Sequence, residues 1–267
     1  MRKEHIMTKI SEILGYEPID IHSHFDHGVV GDRKQRVGTA AWQVHKCELD
    51  FVKEDYDIVG IGCGGFSTFA SLSEANAYAE NEYLYELAQK IDWMYQWVTI
   101  DPKQDALFEQ YKRMAASPKT LGIKTHPWLN YNIMEYADKL FSFANELGAT
   151  VLMHNVEVPA MAGFVNKYPN MKLIIAHIAG EEWIDAIDNA KYGNIYVDTS
   201  GGMSVLNNVI ERAVERVGAD NILFGTDTYS TGFQLGRIAW ARISDEDKKK
   251  ILCDNAKRLF PKAFGNI

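Results

Sequence analysis

Residues 121–154 read LGIKTHPWLNYNIMEYADKLFSFANELGATVLMH, and they contain two short apolar runs separated by a longer stretch. The outer runs, Leu121–Thr125 and Thr150–His154, have the length and composition of β-strands. In the stretch between them, apolar residues recur at helical spacing from Ile133 to Leu147. This part of the chain therefore predicts a strand, an amphipathic crossover helix and a second strand.

The same alternation extends over the rest of the chain and yields eight predicted strands. They are the runs Pro18–His22, Asp57–Ile61, Met94–Ile100, Leu121–Thr125, Thr150–His154, Lys172–His177, Asn194–Val197 and Ile222–Gly225. The run LIIAH at residues 173–177 is apolar on both faces, as expected of a parallel strand covered by helices. Helical spacing recurs from Leu206 to Val217, and Ser244 with Asp247 forms a start resembling a capping box. Eight strand–helix units predict either a closed barrel or an open, doubly wound sheet.

Two segments interrupt the regular spacing, Phe25 to about Val37 and Gly62 to about Leu72. Both contain glycine and follow a predicted strand, so we expect them to form loops at the mouth of the fold. No linker, internal repeat or low-complexity tract divides the chain. A single domain over residues 1–267 is expected, since one barrel commonly needs about 250 residues.

The composition excludes several classes of partner. A formal net charge of −8 disfavours binding to nucleic acid or to an anionic membrane surface. The three cysteines have no paired short spacing, which indicates a reducing, cytoplasmic setting. The first fifteen residues lack the continuous apolar stretch of a signal peptide, and no apolar run reaches roughly 18 residues, so we expect neither a secretory leader nor a membrane span. We expect a soluble protein with a small-molecule substrate, and a homodimer would be compatible.

Four of the eight histidines lie at the ends of predicted strands: His22, His24, His154 and His177. Strand alternation predicts that Asp20, His22 and His24 face the barrel interior and that Ile19 and Ile21 face the helices. Two imidazoles on one side suit a divalent ion, although a hydrogen-bonded surface pair would have the same spacing.

Asp227 follows the eighth predicted strand, which a closed barrel would place beside the first strand. By itself, this aspartate could equally cap the next helix. Considered together with His22 and His24, Asp227 favours the barrel over the open sheet, because a closed barrel would bring all three side chains to one mouth.

Seven segments together resemble the amidohydrolase superfamily, and within it the family related to aminocarboxymuconate semialdehyde decarboxylase. They are DIHSHF (20–25), GIKTHP (122–127), VLMHN (151–155), LIIAHIAG (173–180), YVDTS (196–200), FGTD (224–227) and ILCDNAKRLF (251–260). The resemblance spans almost the whole chain and implies a (β/α)8 TIM barrel of the metal-dependent hydrolase type. It also implies one divalent ion, zinc in the first place and manganese or another first-row metal as the alternative. The residues that match the metal ligands are His22, His24, His154 and Asp227.

The resemblance implies roles for further residues. His177 matches an acid/base group of the mononuclear members, a role that Asp227 could share, and in binuclear members the matching histidine binds a second metal. Lys124 is expected to form a structural ion pair or to meet an anionic substrate group rather than to bridge two ions. By their positions after predicted strands, His126, Trp128 and His27 are expected to line the substrate pocket, although His126 could equally be a solvated loop histidine. Asp198 follows the seventh predicted strand and is expected to anchor backbone or support a ligand.

The first functional hypothesis is hydrolysis of an ester, lactone or amide bond, because a divalent ion lowers the pKa of bound water from 15.7 to about 7. The alternative is a non-oxidative decarboxylase of an unsaturated or aromatic carboxylate, which would use the same ligands. A TatD-like phosphoesterase is less compatible, since the GIKTHP segment has no carboxylate to serve as a ligand. A barrel that binds metal without turnover completes the alternatives.

Overall fold

Eight parallel strands, hydrogen-bonded in chain order, form the centre of the computed structural model, which describes residues 8–25, 48–129, 131–202, 208–228, 231–265 and 267. The strands are β1 Ile19–Phe25, β2 Cys63–Thr68, β3 Met94–Thr99, β4 Thr120–Thr125, β5 Thr150–Met153, β6 Lys172–Ile175, β7 Ile195–Asp198 and β8 Ile222–Leu223. Backbone hydrogen bonds from Ile21 to the Phe224 carbonyl oxygen (3.0 Å) and from Thr226 to the His22 carbonyl oxygen (3.1 Å) join β1 to the residues after β8. The (β/α)8 barrel is therefore confirmed and the open sheet is wrong.

Helices connect the strands. They are α1 Ile10–Leu14, α2 Leu49–Val59, α3 Ala77–Ala88, α4 Asp105–Met114, α5 Ile133–Leu147, α6 Val158–Val165, α7 Glu181–Asp188, α8 Val209–Val217, α9 Thr231–Ala239, α10 Asp245–Lys249, α11 Asn255–Leu259 and α12 Pro261–Phe264. The predicted helix α5 begins after Asn132, whose side chain accepts a hydrogen bond from the backbone of Met134, and ends at the left-handed Gly148. None of the described helices has the length and apolar character needed to cross a bilayer.

The prediction for the second strand is wrong. Asp57–Val59 form the last turn of α2, and Gly60 (φ 87°) ends that helix in the left-handed conformation. The β-branched Ile58 and Val59 favour a strand, which explains the wrong prediction. The strand that the structure shows, β2, has the sequence CGGFST, and its two adjacent glycines are unfavourable in a strand interior, so the sequence did not indicate it. The predicted loop from Gly62 to Leu72 is consequently β2 followed by a 3₁₀ turn, Ala70–Leu72. In the other predicted loop, Phe25 belongs to β1 and residues 26–37 lie outside the described ranges.

The interior of the barrel corrects the predicted orientation of β1. Ile19 and Ile21 belong to an apolar cluster that draws on most of the strands. Its other members include Trp97, Leu152, Ile174, Leu223, Phe260 and Phe264. Asp20 instead accepts a hydrogen bond from Tyr56 of α2 (2.7 Å). The pairing of β1 with β2 shifts register between Asp20 and Ser23, and such an irregularity reverses the alternation, so that His22 and His24 still reach the mouth.

A glycine in β4 provides a test of this packing. A Cβ atom on Gly122 would lie 2.2 Å from the Thr150 carbonyl oxygen and 2.9 Å from Cζ3 of Trp97. The backbone of β5 cannot move without disturbing its pairing with the neighbouring strands. We therefore expect Gly122→Ala to lower the free energy of unfolding by at least the roughly 1–3 kcal/mol typical of an overpacked core. Each kcal/mol corresponds to a decrease in Tm of roughly 2–4 °C. The matched control is Gly163→Ala in α6, where no atom lies within 4 Å and alanine favours the helix. Thermal unfolding followed by circular dichroism measures both, and a Gly122→Ala protein as stable as the wild type would contradict this packing.

Candidate metal centre and active site

A cavity of about 180 Å³ opens among the carboxyl ends of the strands. Its lining residues are His22, His24, Phe69, Leu72, Lys124, His126, Trp128, His154, His177 and Asp227. The structure thus brings together the site residues predicted from the sequence, except His27, which lies outside the described residues. Phe69 and Leu72 were not predicted individually, although their segment was expected at the mouth. The ring of Phe69 stacks on that of His24, with centroids 4.8 Å apart.

The ligand atoms of His22, His24 and Asp227 all lie within 4.8 Å of one another. His154, the fourth predicted ligand, lines the same cavity but does not belong to this group. The Asp227 Oδ1 atom lies 3.2 Å from Nε2 of His24 and 3.7 Å from Nε2 of His22. Both histidines are buried, while Asp227 is slightly exposed. Burial favours the neutral form of Asp227, but the neighbouring histidines outweigh burial and keep the pKa of Asp227 below its usual range. Asp227 is therefore a carboxylate facing two imidazoles.

Hydrogen bonds fix which nitrogen of each imidazole carries the proton. Nδ1 of His22 lies 2.8 Å from Oδ2 of Asp198, and Nδ1 of His24 lies 3.0 Å from the Ser67 carbonyl oxygen. Since both partners can only accept, each Nδ1 is the donor and each neutral ring has its lone pair on Nε2. Burial lowers the pKa of His22 to about 3 and also lowers that of His24, so both rings are neutral near pH 7. Both Nε2 atoms face Asp227, as metal ligands require, and that of His22 also lies 2.7 Å from Nζ of Lys124.

His154 and His177 contact each other. Nδ1 of His177 lies 3.2 Å from the Ser200 carbonyl oxygen and donates to it. Nε2 of His177 lies 3.2 Å from Nδ1 of His154, within hydrogen-bond distance. Burial lowers the pKa of His154 to about 3, so the His154 ring is neutral near pH 7. His177 itself has a left-handed backbone (φ 62°), an uncommon conformation that often marks a functional position.

Asp198 supports several members of the site at once. Besides its bond to His22, its Oδ1 atom accepts hydrogen bonds from the backbone of His177 (3.1 Å) and of Ser200 (2.9 Å). Burial favours the neutral form of Asp198, but His22 and the other donors outweigh burial and hold its pKa below the usual range. Asp198 therefore fulfils both expected roles, since it anchors backbone and orients a histidine.

Lys124 is completely buried, and its Nζ atom lies 2.7 Å from Nε2 of His22. Burial lowers the pKa of Lys124 to about 8, so the amine is largely protonated at neutral pH. Within the described parts of the chain, no carboxylate oxygen lies within 4.0 Å of this nitrogen. Asp227 and Asp198 act on the ammonium at longer range and raise its pKa against the effect of burial. A direct ion pair, one expected role of Lys124, is therefore not found among these residues, and contact with an anionic substrate group stays a prediction.

His126 and Trp128 form one wall of the cavity. The backbone N–H of Trp128 donates to Nδ1 of His126 (3.1 Å), so the neutral ring carries its proton on Nε2. Burial, together with His154 and Lys124, holds the pKa of His126 well below its usual range. The neutral His126 ring thus presents an N–H donor, and the half-exposed Trp128 gives this wall an aromatic rim.

The residues present fit a divalent ion. The neutral imidazoles of His22, His24 and His154 and the carboxylate of Asp227 line one cavity, and such a donor set suits zinc and other first-row metals. To bind the ion, Nε2 of His22 would exchange its contact with Nζ of Lys124 for the metal. A second group, His22 with His177 and Asp198, also has its ligand atoms within 4.8 Å. In that group, however, His22 and Asp198 are hydrogen-bonded to each other, so their contact orients the ring. The fitting centre is the one that includes Asp227.

A family model described as Amidohydrolase matches residues 19–262. The chain belongs to the amidohydrolase family. This membership agrees with the motifs that start at DIHSHF and end at ILCDNAKRLF. No curated protein sequence matches this amidohydrolase significantly.

Solved structures that resemble this amidohydrolase are distant in sequence. The 5-carboxyvanillate decarboxylase of Novosphingobium aromaticivorans, solved with manganese and 4-hydroxy-3-methoxy-5-nitrobenzoic acid, has a TM-score of 0.73 at 16% identity and covers 93% of this chain and 97% of its own. A dihydroxybenzoic acid decarboxylase of Polaromonas sp. JS666, solved with manganese and 2-nitroresorcinol, has a TM-score of 0.70 at 17% identity, covering 92% and 97%. A Pseudomonas putida protein provisionally assigned as a 2-pyrone-4,6-dicarboxylic acid hydrolase has a TM-score of 0.63 at 15% identity, covering 92% and 98%. At these identities the likeness establishes the shared fold.

Proposed function

We propose that this amidohydrolase is a metal-dependent enzyme that removes the carboxylate group of a small planar acid as carbon dioxide, without a redox step. The observation that carries the proposal is Lys124, a buried ammonium with no carboxylate within 4.0 Å among the described residues, on which Asp227 and Asp198 act at longer range. A buried ammonium is most stable beside a counter-charge that it can hydrogen-bond, because burial costs a charged group several kcal/mol. A substrate carboxylate or phenolate would supply that counter-charge inside the cavity.

The side chains of the cavity have complementary tasks in this reaction. His22, His24, His154 and Asp227 would hold the ion, which when bound supplies a positive charge that orients an anionic substrate and stabilises developing negative charge. Lys124 would pair with the substrate anion, and His126 would donate a hydrogen bond to it. Phe69, Leu72 and Trp128 would pack against the planar part of the substrate and exclude water.

Decarboxylation also needs a proton donor. The bond between the ring carbon and the carboxylate carbon breaks, carbon dioxide leaves, and the electron pair that stays on the ring carbon takes up one proton. His177 lines the cavity and is the group proposed to deliver that proton. Asp227 is ionised in the resting site, so its proposed share is to accept a proton first, for example from a substrate hydroxyl, and then to pass it on. The decarboxylases among the structural neighbours, which were solved with carboxylate or nitrophenol ligands, support this choice of reaction.

Hydrolysis of a small cyclic ester that carries a carboxylate is the second candidate, although the sequence alone had placed hydrolysis first. The structural likeness to the P. putida protein favours it, since a pyrone dicarboxylate would also satisfy Lys124. His177 or Asp227 would then take a proton from the attacking water. The same residues serve both reactions, so the products must decide between them.

A substrate panel with two readouts tests the proposal. Protein stripped of metal with a chelator, and then reloaded with Mn²⁺ or Zn²⁺, is incubated with hydroxybenzoates, carboxyvanillate, pyrone carboxylates, esters and amides. We expect carbon dioxide from at least one aromatic carboxylate, restored by metal and strongly reduced in Lys124→Gln. Ring opening or ester cleavage without carbon dioxide would assign the second candidate. Turnover that persists in the stripped protein would contradict a metal-dependent reaction.

A further inference from the structure

The turn that carries Asp227 has an uncommon backbone. Asp227 (φ 56°) and Thr228 (φ 61°) are two consecutive residues in the left-handed region, and neither is glycine. Side chains disfavour this region, and β-branched residues such as threonine disfavour it most. Such a conformation persists only where surrounding contacts enforce it, and it often occurs at functional sites.

The hydroxyl group of Thr228 supplies contacts of this kind. Its Oγ1 atom accepts a hydrogen bond from the His24 backbone N–H (2.7 Å), donates one to the His24 carbonyl oxygen, and lies 2.8 Å from the Ser23 hydroxyl oxygen. The one proton and both lone pairs of the hydroxyl are thereby used. β8 has already ended at Leu223, so this side chain takes the place of a neighbouring strand beside His24.

Thr226 makes the corresponding contacts on the other side of Asp227. Its Oγ1 atom donates to Oδ2 of Asp20 (2.6 Å), and its backbone N–H donates to Oδ1 of Asp20 (3.1 Å). The same Oγ1 atom accepts a hydrogen bond from the backbone of Thr228 (3.1 Å). Asp227 is therefore held between two threonines that bind β1 on either side of His22.

We infer that Thr228 is a positioning residue of the metal centre, whose hydroxyl holds the Asp227 carboxylate at the distance from His22 and His24 that a shared divalent ion requires. This inference rests on the metal site of the proposed function. Without the hydroxyl, the β1 backbone at His24 loses its partner, and Thr228 no longer ties the left-handed turn to β1. The turn retains the hydrogen bonds of Thr226 and that from the Asp227 N–H to the His22 carbonyl oxygen (2.7 Å), which hold it only on the Thr226 side. The carboxylate would then move relative to Nε2 of His24, which now lies 3.2 Å from its Oδ1 atom.

The test measures metal affinity directly. Chelator-treated wild type, Thr228→Val, Thr228→Ser and Thr228→Gly are titrated with Mn²⁺ and with Zn²⁺ in a calorimeter. Valine keeps the shape of threonine but lacks the hydroxyl, serine keeps the hydroxyl, and glycine lacks the hydroxyl but adopts the left-handed backbone without strain. We expect the valine and glycine proteins to bind metal about 10–100-fold more weakly, as is typical when a group that orients a ligand is removed. The serine protein should change only slightly.

Controls separate this inference from simpler explanations. Thr150→Val makes the same substitution at a buried threonine at the opposite end of the barrel, and it should keep wild-type affinity. Melting curves without metal establish that each variant is folded, and the glycine protein replaces the valine protein where valine prevents folding. Wild-type affinity in both variants without the hydroxyl, or an equal loss in the serine protein, would overturn the inference. A wild type that binds neither ion would instead overturn the metal site itself and, with it, the proposed function.

Discussion

Replacing Asp227 with asparagine should lower kcat/KM by about 10³-fold or more, since the change removes both a charged metal ligand and a candidate proton carrier. The amide has nearly the same size and tolerates the left-handed backbone at this position (φ 56°), so the fold should survive. What is lost is the negative charge facing Nε2 of His22 and His24. Steady-state kinetics on the substrate identified by the panel measures the effect.

Asp220→Asn is the matched control, because Asp220 is an exposed aspartate that pairs with Lys250 on the surface. Exposed pairs of this kind contribute little to stability, so this protein should keep wild-type kinetics. An Asp227→Asn protein within tenfold of the wild type would contradict the role proposed for Asp227.

The second large effect is expected at His177. We expect His177→Asn to keep its metal content while kcat falls by about 10²–10⁴-fold, the usual contribution of an acid/base group. Asparagine suits the left-handed backbone at this position, so the fold should survive. The shorter side chain gives up the contact between His177 Nε2 and His154 and removes the imidazole that would transfer the proton.

Metal analysis and kinetics on the same preparation test this separation. If His177→Asn loses the ion, His177 belongs to the ligand set and a binuclear centre becomes the better description. If it keeps both the ion and its activity, Asp227 alone moves the proton.

Much of this architecture could be predicted from the sequence, because the barrel repeats the same local pattern, an apolar strand followed by an amphipathic helix. The strands at Leu121 and Thr150 and helix α5 between them have clear periodicity, and their predictions are confirmed. The second strand did not follow from the sequence, since its packing depends on close contacts that only glycine permits. A Cβ on Gly65 would lie 2.5 Å from Cδ1 of Leu121, a contact between residues distant in the chain.

The candidate site was predictable to a similar extent. Histidines at the ends of strands and an aspartate after the last strand identify the cavity, because a parallel barrel gathers these ends at one mouth. The register shift in β1 was not predictable, because the prediction assumed that side chains alternate strictly between the two faces of a strand, and an irregularity breaks this alternation. Ser67 and Ser200 were also missed, since their contacts with the histidines arise only from the tertiary fold.

Diffraction from crystals of the manganese-loaded protein, recorded at the manganese absorption edge, would show where the ion binds. We expect one anomalous peak bonded to Nε2 of His22, His24 and His154 and to a carboxylate oxygen of Asp227, at roughly 2.0–2.2 Å from each. A peak bonded instead to Asp198 or His177, two peaks, or none in protein that is active without metal would contradict a single ion bound by these four residues.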